Sequence, residues 1–93
     1  MYKENLSSAE DYIFALVADE YLFAKKFPEF ASEHEGYAVI LEEMDELWDA
    51  IKANKTTTLV DRMNEAIQIA AMAIKYVNMA GGETLDKLGR DNE

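Results

Sequence analysis

Four oxygen-bearing side chains in this sequence come as two pairs with the same spacing: Glu43 with Glu46, and Glu65 with Gln68. Residues three apart on a helix sit one above the other, so each pair aims its oxygens at one place. Two antiparallel helices carrying such pairs build an oxygen cage, the donor set that hard cations such as Mg²⁺ or Mn²⁺ prefer. Facing helices of a bundle are a known setting for such sites. Asp61, one turn before Glu65, is a further candidate donor. Glu-x-x-Glu also decorates many solvated helix faces, so spacing alone leaves both readings open. The surroundings favour the first, because Glu43 and Glu46 share their strip with Val39 and Ala50.

The elements that must position these groups are helices. The chain has one Pro and four Gly, and no stretch of alternating β-branched residues marks a strand. The fold class expected is all-α: three long helices, with a short C-terminal fourth as an option, in an antiparallel bundle that self-associates. The whole of 1–93 reads as a single domain. The first helix is expected over about 8–27, capped by Ser8 and ended by Pro28. The second spans about 32–53, opened by a Ser32/Glu35 capping box. The third spans about 58–80, closed by Gly81 and Gly82, with a polar tail over 83–93.

Helical periodicity sorts the faces. Tyr37, Ile40, Leu41, Met44, Leu47, Trp48 and Ile51 form one stripe on the second helix and are expected to make its core face. Val60, Met63, Ile67, Ala70, Ala71, Ile74 and Val77 do the same on the third. Its opposite side carries Glu65, Ile69, Met72, Tyr76 and Met79, so that helix needs cover on both sides.

Composition bounds the partners. A 93-residue chain buries only about 60–65% of its unfolded surface when it folds alone, yet 49% of these residues are hydrophobic. Cysteines, whose disulfides staple many small cores, are absent. Self-association as a homodimer or homotetramer is the expected outlet. A net charge of −10 argues against nucleic acid, which is bound by neutralising phosphates, and against anionic membranes. No apolar run approaches the length of a membrane span, and the first ten residues lack the apolar core of a signal peptide, so a cytoplasmic location is expected.

The stretches Ser32 to Asp49 and Asn64 to Ala73 together resemble the two metal-binding helices of MazG-like nucleotide pyrophosphohydrolases, most closely the short phage and bacterial type. That family carries Glu-Glu-x-x-Glu, a variable spacer, then Glu-x-x-Asp. The resemblance covers about residues 30–80. It implies an all-helical dimer or tetramer that uses Mg²⁺ to cleave nucleoside triphosphates to the monophosphate and pyrophosphate. By position, Glu43 and Glu46 match the first ligand pair and Glu65 the third, with Glu43 or Glu46 also available to orient the attacking water. The chain departs from the pattern at Gln68, where the family has Asp. Three acids then stand in place of four, with Asp61 as the nearest replacement.

Lys52, Lys55, Arg62 and Lys75 are the cations near these helices that could hold phosphate oxygens, and Trp48 or Tyr76 could stack on a base. For each, a solvated or packing role is the simpler reading. His34, the single histidine, has no triad partner at a useful spacing. Two other functions fit the same residues: a non-catalytic helical interaction protein with a degenerate site, and a regulator that binds metal or nucleotide without turnover.

Overall fold

A computed structural model describes residues 5–91, with side chains through residue 89. Three helices account for nearly all of it: α1 (Ser8–Ala24), α2 (Glu33–Lys52) and α3 (Leu59–Asp91). No strand occurs among the described residues.

Each helix starts where side chains can satisfy its free N–H groups. The cap of α1 is Ser7, one residue earlier than expected, and it forms a reciprocal capping box with Glu10. At α2, Ser32 Oγ accepts from the Glu35 N–H at 3.1 Å, while the Glu35 carboxylate accepts from Ala31 N–H rather than Ser32 N–H. At α3, Thr58 and Asp61 exchange two bonds of 2.9 and 3.0 Å. All three patterns occupy donors that have no intrahelical partner.

Two ends differ from the sequence reading. α1 stops at Ala24, because Lys26 and Phe27 tighten into bonds to Phe23 and Ala24 ahead of Pro28. α3 does not end at Gly81 and Gly82. It runs on to Asp91, and no glycine takes the left-handed conformation. A helical glycine costs about 1 kcal/mol relative to alanine, which slows a helix without stopping it when helix-compatible residues follow. The expected tail over 83–91 is therefore helix; 92–93 lie outside the described residues.

α1 and α2 both pack on α3, which is their common support. Where they meet it lies the core: Ala24, Phe30, Ala71 and Met72, flanked by Tyr21, Val39, Ile40, Tyr76 and Met79. Ala71 has no exposed surface. The expected core stripe of α2 needs correction. Ile40 and Leu47 turn inward, but Tyr37, Leu41, Met44, Trp48 and Ile51 are exposed. The inward face is the adjacent one, through Gly36, Val39, Glu43 and Ala50. On α3, Ala71 alone of the expected stripe is buried, while Met72 and Tyr76 from the opposite side join the core.

Gly36 sets how closely α2 approaches α3. A Cβ there would stand 2.9 Å from Tyr76 Cδ2 and 3.0 Å from Phe30 Cδ2, both on packed rings. Gly81 has open space around the same position. Gly36→Ala is expected to lower stability by about 1–2 kcal/mol through overpacking, despite its better helix propensity. Gly81→Ala should raise stability by about 0.5–1 kcal/mol. Urea unfolding of both variants reads the two signs directly.

Candidate metal centre

α2 and α3 run antiparallel, and the Gly36–Tyr76 contact fixes their register. Tyr76 Oη also donates to the Glu33 carboxylate at 2.5 Å, a bond to the charged acid that holds the phenol above its usual pKa. Stepping away from that end, ten residues along α2 reach Glu46 and eleven back along α3 reach Glu65. Glu43 lies one turn nearer the contact. The three acids do converge: one carboxylate oxygen from each of Glu43, Glu46 and Glu65 lies within 4.8 Å of the others. Glu43 and Glu65 are half-buried at the helix interface, and Glu46 is exposed at its mouth.

Three carboxylates at this spacing cannot all stay charged without cost. Burial is the main cause that pushes the Glu43 carboxyl up to about 7, and the charges of Glu46, Glu65 and Glu42 add to it. Glu65 is raised too, by burial first and then by Glu46 and Asp61. Glu46 stands within hydrogen-bond reach of both neighbours. Two carboxylates make such a bond only when one of them holds a proton, which the raised Glu43 and Glu65 carboxyls favour.

The remaining candidates are placed elsewhere. Gln68 does not turn to the cluster with its amide nitrogen: Nε2 donates to the Glu20 carboxylate of α1 at 2.6 Å. Asp61 is engaged at the start of α3, where the Thr58 N–H and hydroxyl lower its pKa. Arg62 Nη1 holds the Thr57 carbonyl and hydroxyl at 3.2 and 3.1 Å, bracing the α2–α3 turn. Lys52 pairs with Asp49 at 3.3 Å and lies over the Trp48 ring. Lys55 is exposed in that same turn. Lys75 reaches the Ala24 carbonyl at 3.4 Å and sits 5.0 Å from the Phe30 ring centre. Tyr76 is half-buried against the core, Trp48 is exposed on the outside of α2, and His34 is exposed in the first turn of α2.

One feature of the region was not read from the sequence. A groove of about 490 Å³ lies where α1, the 25–32 connection, α2 and α3 meet. Phe23, Phe27 and Phe30 line it, with Glu20, Glu29, Glu35, Gln68 and Lys75 as polar groups. Val39, also in its wall, is one turn from Glu43, and Gln68 is one turn from Glu65. The groove therefore opens beside the acid cluster. Its size is that of a small-molecule site, apolar with a few polar groups. The aromatic run Phe23, Phe27, Phe30 was the sequence signal, but its meaning depended on how α1 docks.

Compared with known proteins, the chain matches no family model, no curated protein and no solved structure.

The pH dependence follows from the shifted acid. Glu43 binds its proton more tightly in the folded chain than at the ordinary value of 4.5. Below that value it is protonated in both states and contributes no difference. As pH rises from there to about 7 the unfolded state loses the proton first, so folding stability falls across this window. Glu43→Gln is expected to flatten that part of the profile and to be more stable than wild type above pH 7. Urea midpoints at pH 5 and pH 8 for both proteins check the sign.

Proposed function

We propose that the protein is a Mg²⁺-dependent nucleoside triphosphate pyrophosphohydrolase that binds its cation through Glu43, Glu46 and Glu65. The observation that supports this reading best is the convergence of these three carboxylates from two facing helices, with the Glu43 proton held far above its usual range. Separations within 4.8 Å let the three carboxylates draw in around a shared ion with ligands about 2.0–2.6 Å from it. The donor set is all oxygen and anionic, as a hard cation requires. Such a cation would also offset the charges of Glu46, Glu65 and Glu42, which add to burial in raising Glu43.

When bound, Mg²⁺ would offset phosphate charge and lower the pKa of a nearby water. The chain's own residues account for the rest of the reading. Water adds to the α-phosphorus, the bond from that phosphorus to the α–β bridging oxygen breaks, and pyrophosphate leaves. Glu46, exposed at the mouth, and Glu43 are the bases placed to take the proton from that water. The adjacent groove offers aromatic walls for a nucleoside, and Lys75 is the cation among its lining residues that could meet a phosphate. The nucleoside triphosphate substrate class is carried over from the resemblance of residues 30–80 to MazG-like enzymes and is the part of the proposal that the substrate panel tests.

One observation favours a second reading, a helical binding protein without turnover. Gln68 stands where that family has Asp, and its amide nitrogen is occupied by Glu20. Asp61 is held at a cap and does not replace it.

Calorimetric titration with Mg²⁺ and Mn²⁺, followed by pyrophosphate release from a panel of ribo- and deoxynucleoside triphosphates, separates the two. The proposal expects cation binding, release of pyrophosphate, and loss of both in Glu43→Gln and Glu65→Gln while the fold persists. Gln68→Asp should tighten cation binding. Binding without turnover across the panel would favour a regulator that binds cation or nucleotide, and no binding at millimolar cation with nucleotide present would end the pyrophosphohydrolase proposal and leave the non-catalytic helical protein.

A further inference from the structure

The groove beside the acid cluster has an order along its length. Glu43 on α2 and Glu65 on α3 stand at one end. One turn on, Val39 and Gln68 line the wall, and Gln68 is bonded there to Glu20 of α1. A further turn brings Gly36 and Met72, where the Phe30 ring packs. α1 keeps the same sense, since Glu20 meets Gln68 and Ala24 meets Lys75. Phe23 lies one turn beyond Glu20, and Phe27 follows in the connection. From the acids outward, the sequence of groups is the carboxylate cluster, then Glu20 with Gln68, then the phenylalanine rings.

Glu20 is half-buried in this wall, and its neighbour holds it in place. Gln68 Nε2 donates to Glu20 Oε1 at 2.6 Å. A carboxylate only accepts, and one amide N–H uses one of its roughly four lone-pair sites. Glu20 therefore stays open to further donors, and its two oxygens side by side suit two hydroxyls on adjacent carbons. The identity of residue 68 matters here. An Asp would set a second acid against Glu20. The amide donates to it instead, so this position serves Glu20 where the MazG-like pattern serves the cation.

We propose, resting on the nucleotide reading above, that Glu20 reads the sugar. Its carboxylate accepts from the 2′- and 3′-hydroxyls, and the protein prefers ribonucleotides to deoxyribonucleotides. A nucleotide has the order phosphate, sugar, base. With phosphates on a cation at the acid cluster and the base against the phenylalanine rings, the sugar falls at the group between them. The phosphates share the sign of Glu20, so like charge turns them from it toward the cation. Ribose offers two adjacent donors to the carboxylate, and 2′-deoxyribose offers one. An acid on the ribose 2′-hydroxyl is also how dinucleotide-binding folds recognise that sugar. Gln68 acts as a positioning residue, holding the carboxylate without cancelling its charge.

Titration calorimetry of the full chain with adenosine, 2′-deoxyadenosine and 3′-deoxyadenosine reads this contact without cation or turnover. Wild type should bind adenosine about tenfold or more tighter than either analogue, the effect of losing one hydrogen bond to a charged group. Glu20→Ala should bind all three alike. Gln68→Asp should narrow the preference by repelling Glu20. Glu20→Gln, which can still accept from Gln68 and so keep α1 docked, should narrow it as well. Circular dichroism checks that each variant keeps its helices. Equal affinities in wild type, no binding of any of the three at millimolar concentration, or a preference that survives Glu20→Ala overturns the inference. Pyrophosphate release from ATP and dATP then tells the two readings apart. Selective nucleoside binding without release upholds the sugar contact and removes the hydrolase. Equal release from both, with unselective binding, removes the sugar contact alone.

Discussion

The close approach of α2 to α3 at Gly36 governs much of what the chain presents. With hydrogen in place of a side chain, the start of α2 can lie against the rings of Tyr76 and Phe30. That contact sets the register of two antiparallel helices, and the register brings Glu43 and Glu46 opposite Glu65. The same approach buries Glu43 enough to hold its proton near neutrality. Packing at one end of the pair thus determines electrostatics two to three turns away, since a rigid helix passes on a fixed offset along its length.

Much of the helical layout was legible in the sequence because it depends on local chemistry. Ser32, Thr58 and Pro28 act on their own neighbours, and the α-helical class follows from them and from the 3.6-residue period. The far end of α3 was misread for the opposite reason. Gly81 and Gly82 permit a left-handed cap without requiring one. The apolar stripes were also real, but a stripe reports which face avoids water, not which neighbour supplies the cover. On α2 the face turned inward is the less apolar one, carrying Gly36, Val39 and Glu43, while Met44 and Trp48 point outward.

The candidate site divides along the same line. Glu43, Glu46 and Glu65 could be grouped from spacing and from the two-helix arrangement, and the structure brings them together. Gln68 could not be placed in this way. Its partner Glu20 is 48 residues away in sequence, on a helix whose docking no short-range pattern encodes. The aromatic groove was hidden for the same reason, because it exists only once α1 and the 25–32 connection close against α3.

The chain's connectivity also bears on the order in which it assembles. α2 and α3 are joined by a short turn that Arg62 and Thr57 brace, and the acid cluster lies wholly within that hairpin. α1 meets α3 through pairs such as Glu20 with Gln68 and Ala24 with Lys75, each about fifty residues apart. Closing the small loop costs less chain entropy than closing the large one, by just under ~1 kcal/mol. The hairpin is thus the expected nucleus, in which the three carboxylates would meet before α1 docks. In that order of assembly, their repulsion would weigh on the folding rate as well as on final stability.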